Sequence, residues 1–177
     1  MLSVSTALER LRDCLSDDFP PSSGTRIFDI PFPLHDAFDP LLWCGHQAQW
    51  PQFYWLQRNG DEELAALGAV KTFPSLAGAH DFLQRQGLAD LRICGLNAFN
   101  PQEGRLFLPR LEWRRVGGKA TLRLLLNSET SLREDAIAAR AFLQALTPDQ
   151  AQPAALPPVL SEQHSPDYPQ WHALIEQ

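Results

Sequence analysis

Leu106–Asn127, LFLPRLEWRRVGGKATLRLLLN, reads as two β-strands joined at Gly117-Gly118. Those two glycines can take the positive φ angles that a two-residue hairpin loop demands. With them as the loop, the numbers of facing residues sum to 235, so Trp113 faces Leu122 and Leu111 faces Leu124. On the other face Glu112 meets Arg123 and Arg114 meets Thr121. One face is wholly apolar and the other carries an opposite-charge pair, the pattern of a half-buried antiparallel sheet. A slip of one residue would turn Glu112 and Arg123 into the core, so the register is well specified.

Working outward, Asn59-Gly60 gives a second hairpin signal between the aromatic strand Gln52–Arg58 and the small-residue strand Leu64–Val70. Arg26–Pro33 reads as a strand running into a proline-bounded turn, and Leu91–Cys94 as a short strand. Three amphipathic helices flank these strands. Ser3–Leu15 carries Val4, Leu8, Leu11 and Leu15 at helical spacing, with a capping-box pattern at Thr6 and Glu9. A second helix follows Ser75 and stops at Gly87, and a third opens at Ser131 with Glu134 three residues on and runs to about Leu146. The fold class is therefore α+β, a mainly antiparallel sheet with flanking helices. Residues 1–146 form this unit, and 147–170 read as a proline-rich linker. Trp171, Leu174 and Ile175 open a helix in 171–177 that is too short to stand alone.

Composition narrows the function. The 177 residues are 44% hydrophobic and 20% charged, with a net charge of -6, which argues against nucleic acid and anionic membrane surfaces as partners. Three scattered cysteines, Cys14, Cys44 and Cys94, and the lack of a signal-peptide pattern point to a reduced, cytoplasmic setting. No apolar run approaches a membrane span. Thirteen arginines stand against two lysines, so a lysine base has only Lys71 and Lys119 as candidates. Lys119 follows a turn and reads as exposed, which leaves Lys71 as the lysine with a chance of a buried, depressed pKa.

Chemistry is sparse. His35, Asp36, Asp39, Cys44 and His46 cluster in sequence, but without the paired spacing of a zinc site, and the plain reading is two ordinary histidines near a helical turn. Phe53, Tyr54 and Trp55 could stack on bases only with basic residues interleaved, and Arg58 alone is near, so they read as core. Asp17-Asp18 and Glu62-Glu63 fall at polar turns and read as solvated charge. There is no phosphate-binding glycine loop, no dinucleotide fingerprint and no nucleophile elbow. No catalytic, cofactor-binding or metal-binding residue is assigned, and no convergent polar groups mark a small-molecule pocket.

Four stretches carry a family resemblance: IPFPLHDAFDPLLW (Ile30–Trp43), PQFYWLQRNGDEE (Pro51–Glu63), DLRICGLNAFNP (Asp90–Pro101) and LPRLEWRRVGGKATLRL (Leu108–Leu124). They resemble the N-terminal part of the menaquinone-specific isochorismate synthases, within the chorismate-utilising enzymes. In GLNAFNP, Asn100 stands where the family usually has aspartate. The resemblance implies a large α+β fold of two packed sheets with helices outside. It also implies an isomerase that converts chorismate to isochorismate with Mg²⁺. A lysine would activate water for attack on the ring, a glutamate would protonate the departing hydroxyl, and further glutamates would hold the metal. Those motifs belong to the C-terminal half of the family's proteins, and neither Lys71 nor Lys119 matches the base lysine. The expectation is a non-catalytic N-terminal portion, inactive alone, whose partner is the C-terminal catalytic segment. A stand-alone module that docks with a separately encoded catalytic half is the alternative.

Overall fold

A computed structural model describes residues 3–16, 18–33, 38–88, 90–100, 102–148, 161 and 165–175. The order is α1 (Val4–Cys14), β1 (Gly24–Phe32), α2 (Pro40–Gly45), β2 (Gln52–Leu56), β3 (Glu62–Phe73), α3 (Leu76–Gln86), β4 (Cys94–Asn97), β5 (Gly104–Val116), β6 (Lys119–Ser128), α4 (Leu132–Gln144) and α5 (Tyr168–Ile175). The strands form one antiparallel sheet in the order β1-β6-β5-β3-β2, with β4 paired to the start of β5. This is the expected α+β class.

The β5–β6 hairpin has the register read from the sequence. Leu111 faces Leu124, Trp113 faces Leu122, and Val116–Lys119 closes the loop. Gly117 and Gly118 have φ of 53° and 76°, the left-handed values that a two-residue loop requires. Beyond Leu111 and Leu124 the two strands part company: β6 continues along β1 to Ser128, while β4 takes the vacated edge of β5 at Gly104–Phe107. Arg110 bridges that parting. Its guanidinium donates to the Leu125 carbonyl at 3.0 Å and to both carboxylate oxygens of Asp135 on α4, at 2.8 and 2.6 Å.

Strand alternation sends Ala65, Leu67, Leu111, Trp113, Leu122 and Leu124 to one face, where α1, α2 and α4 cover them with Leu8, Leu11, Trp43, Leu132, Ala139 and Leu143. Arginines pin α1 to α4: Arg12 donates to the Leu143 carbonyl and Arg140 to the Leu15 carbonyl. The opposite face is covered over part of its extent by α3, whose Phe82 packs with Phe73, Leu106, Leu108 and Leu125.

Several sequence boundaries move. The α1 cap is Ser3, whose hydroxyl accepts from the Thr6 amide, so Thr6 lies inside the helix rather than capping it. The short strand is Cys94–Asn97 instead of Leu91–Cys94, and Gly95 comes so close to Arg105 there that a Cβ would clash. Ser75 and Ser131 cap α3 and α4 as read, and Gly87 ends α3 at φ 58°. The last helix starts at Tyr168 rather than Trp171, and Trp171, Leu174 and Ile175 are exposed. Most of the proline-rich stretch, 149–160 and 162–164, lies outside the described residues.

Candidate functional site

The residues singled out by sequence do not converge. His35, Asp36 and Asp17 lie outside the described residues. Asp39 caps α2 by accepting from the Leu42 amide at 3.0 Å. Cys44 is buried, its thiol donating to the Ala66 carbonyl, and burial pushes that thiol up to about 11; His46 is exposed. Lys119 is exposed at the hairpin. Lys71 is part-exposed, paired with Glu129 and resting over the Phe82 ring at 5.7 Å, a surface ion pair rather than a sequestered base. Glu62 and Glu63 correct the turn reading: both open β3 and are gripped by arginines, Glu62 by Arg92 and Arg114, Glu63 by Arg115. Tyr54 also donates to Glu63 at 2.7 Å, and burial first, then Glu63, raises its hydroxyl to about 12.

Polar groups do converge at a place the sequence reading treated as a solvated surface. Asp29 (β1), Glu112 and Arg114 (β5), Thr121 and Arg123 (β6), Lys119 and Asp90 line a cavity of about 270 Å³. Glu112 faces Arg123 across the sheet as the register requires, yet the two form no ion pair. Arg123 instead grips Asp29 with two bonds, at 2.7 and 2.9 Å, and donates to the Asp90 carbonyl at 2.9 Å. Arg114 holds the Asp90 carboxylate at 2.8 Å. Glu112 is only 4% exposed and its Oε1 has no hydrogen-bond partner. The half-exposed charged face inferred from the hairpin is thus corrected. The segment after α3 brings Asp90 and Arg92 over it and buries Glu112.

Burial pushes the Glu112 carboxyl up to about 7, against the pull of Arg123, Arg92 and Arg114. Asp90 is held below the usual carboxylate range by the Arg114 hydrogen bond. The niche therefore holds one carboxyl that keeps its proton towards neutral pH beside Asp90, which gives its proton up more readily than usual. A sequence signal existed in Asp90 and Arg92, two charges flanking one leucine just before a strand, but nothing local says which charges they meet.

These residues do not fit the Mg²⁺ that the resemblance implies. A hard cation needs ionised oxygens free to turn towards it, whereas Asp29, Asp90 and Glu62 are committed to arginines and Glu112 favours its proton. Among the described residues no three His, Cys, Asp or Glu side chains are grouped to hold a metal ion.

No family model matches the chain. It is 55% identical to the isochorismate synthase MenF of Escherichia coli K12 over 177 aligned residues, 99% of this chain and 41% of that protein. A 27% identical match to Pasteurella multocida isochorismate synthase MenF covers 80% of this chain and 32% of that protein. The structure of MenF, the menaquinone-specific isochorismate synthase from Escherichia coli, superposes with a TM-score of 0.84 at 54% identity, over 99% of this chain and 41% of that one. Sequence and fold together match the chain to one part of the isochorismate synthases. More narrowly, it is the counterpart of the N-terminal part of the menaquinone-specific members, and spans less than half the length of the relatives it matches.

Proposed function

We propose that this chain is the non-catalytic N-terminal portion of an enzyme that converts chorismate to isochorismate for menaquinone biosynthesis in the cytoplasm. The observation that carries the reading is near-complete coverage of this chain against 41% of the Escherichia coli protein, in sequence and fold alike. The reaction adds water at one ring carbon and expels hydroxide from another, so it needs a base, an acid and a cation for the substrate carboxylate. The resemblance assigns all three to the C-terminal half. Within this chain Lys71 is bound to Glu129, and the carboxylates around Glu112 are held by arginines. The role left to these residues is structural: a sheet with one face sealed by three helices, on which the catalytic segment completes the enzyme. No helix among the described residues is long and apolar enough to cross a membrane.

The test is turnover. Purified chain with chorismate and Mg²⁺ is expected to give no isochorismate above a tag-matched control, by chromatographic separation. Adding the C-terminal remainder of the Escherichia coli relative in trans is expected to restore product. Isochorismate formed by the chain alone would overturn the reading, and Lys71→Ala would then be the first variant to assay.

A further inference from the structure

The charges around Glu112 are matched without it. Arg92 grips Glu62 at 2.5 Å, Arg114 binds Glu62 and Asp90 at 3.1 and 2.8 Å, and Arg123 binds Asp29 at 2.7 Å and Asp90 at 3.6 Å. Three guanidinium groups thus face three carboxylates, and Glu112 is a fourth acid in the cluster. Lys119 stands at the solvent rim, and Cys94 of β4, itself buried, is the remaining titratable neighbour. Leu91, Leu108, Pro109 and Leu125 wall the other side of Glu112.

Asp90 is the second unusual residue. It has φ of 85°, the one described non-glycine residue at positive φ, where a side chain other than glycine's is uncommon. Its carboxylate and carbonyl are held by Arg114 and Arg123, the two arginines nearest to Glu112 in the sheet: one lies two residues along β5, the other directly opposite on β6.

We propose that Glu112 and Asp90 form a proton-operated latch: uncharged Glu112 leaves Arg114 and Arg123 to hold Asp90 down, and ionised Glu112 takes those arginines and frees residues 90–93. The sign follows from linkage. Latched Glu112 has its carboxyl raised from 4.5 to about 7, whereas in the released state, paired with arginine, it returns to the ordinary range or below. The latched state is therefore fully favoured below about pH 4.5 and loses favour as pH rises to about 7, with no further change above. Across that window the opening constant rises by at most about 300-fold.

Methyl NMR on the whole chain tests this, because Leu91 and Ile93 are partly buried against the α3 cluster. Between pH 4.5 and 8 their methyl signals are expected to move towards solvent-exposed values with a midpoint below 7, while those of Leu124 and Leu126 stay still. Glu112→Gln, which copies the protonated acid, is expected to hold the latched position at every pH. Asp90→Asn, which leaves Glu112 intact, is expected to release it even at pH 5. An unchanged titration in Glu112→Gln, movement of Leu124 in step with Leu91, or a latched Asp90→Asn at pH 5 would each overturn the proposal.

Discussion

Asp135→Ala removes the carboxylate that answers a buried arginine. Arg110 is 7% exposed, and its charge is answered by both oxygens of Asp135 in the first turn of α4. One of those oxygens also accepts from the Asn127 amide at 2.9 Å. Truncation strands a buried guanidinium and an amide together, and removes an anion from a helix N-terminus. Breaking a buried pair from one side costs about 3–5 kcal/mol, and the lost helix-dipole interaction at most about 1 more. Against a total stability of about 5–15 kcal/mol, that is a large fraction.

The assay is urea denaturation of the wild type, Asp135→Ala, Asp135→Asn, Asp135→Leu, Arg110→Met and the double variant Arg110→Met/Asp135→Leu, read as midpoint and slope. Asp135→Asn keeps one acceptor and is expected to lose about half as much as Asp135→Ala. The double variant replaces charge by apolar volume, and is expected to recover most of the loss, because well-packed hydrophobic groups often match a buried pair in stability. A mutant cycle then gives a coupling of about 2 kcal/mol or more. A loss below about 1 kcal/mol for Asp135→Ala at unchanged slope, or additive single changes, would refute the view that this pair joins the parted β5 and β6 to α4.

Two further outcomes follow from packing. Gly68 has φ of 65°, and a Cβ there would lie 2.6 Å from Phe142 Cε2 and 3.3 Å from Arg110 Cβ. Gly68→Ala is expected to lose about 2–4 kcal/mol from the left-handed backbone and the overlap together, and clearly less in a Phe142→Ala background; thermal melts check this. Burial pushes the Cys94 thiol up to about 12 and Cys44 to about 11, so at pH 8 iodoacetamide is expected to label half-buried Cys14 first and the other two only on unfolding. Mass spectrometry of the native chain resolves the order, and Cys94 labelled as fast as Cys14 would contradict it.

What was legible in the sequence was local. The β5–β6 register followed from two adjacent glycines and an alternation of period two, and the caps at Ser75 and Ser131 from hydroxyls placed before helical periodicity. What failed depended on contacts between residues far apart in the chain. Glu112 reads as solvated because strand alternation reports only that a residue faces away from the main core. It cannot report that Asp90, twenty-two positions earlier, returns across that face. Glu62 and Glu63 read as turn residues for the same reason: their arginine partners lie thirty or fifty-two positions downstream.

One compositional oddity connects these misses. In the sequence, thirteen arginines against two lysines only limit the candidate bases. In the fold, Arg110 and Arg123 each clasp a carboxylate with two nitrogens while also donating to a main-chain carbonyl, Leu125 and Asp90 respectively. Arg115 likewise donates twice to Glu63 and once to the Gly60 carbonyl. Arg12 and Arg140 tie α1 to α4 through carbonyls alone. A lysine ammonium is a compact, strongly hydrated point charge, and lacks the planar fork needed to serve a carboxylate and a carbonyl together. The arginine excess is thus the composition required by a sheet whose strands are cross-linked through side chains where they part and where a loop crosses them. It was visible from the start, but its meaning required the partners.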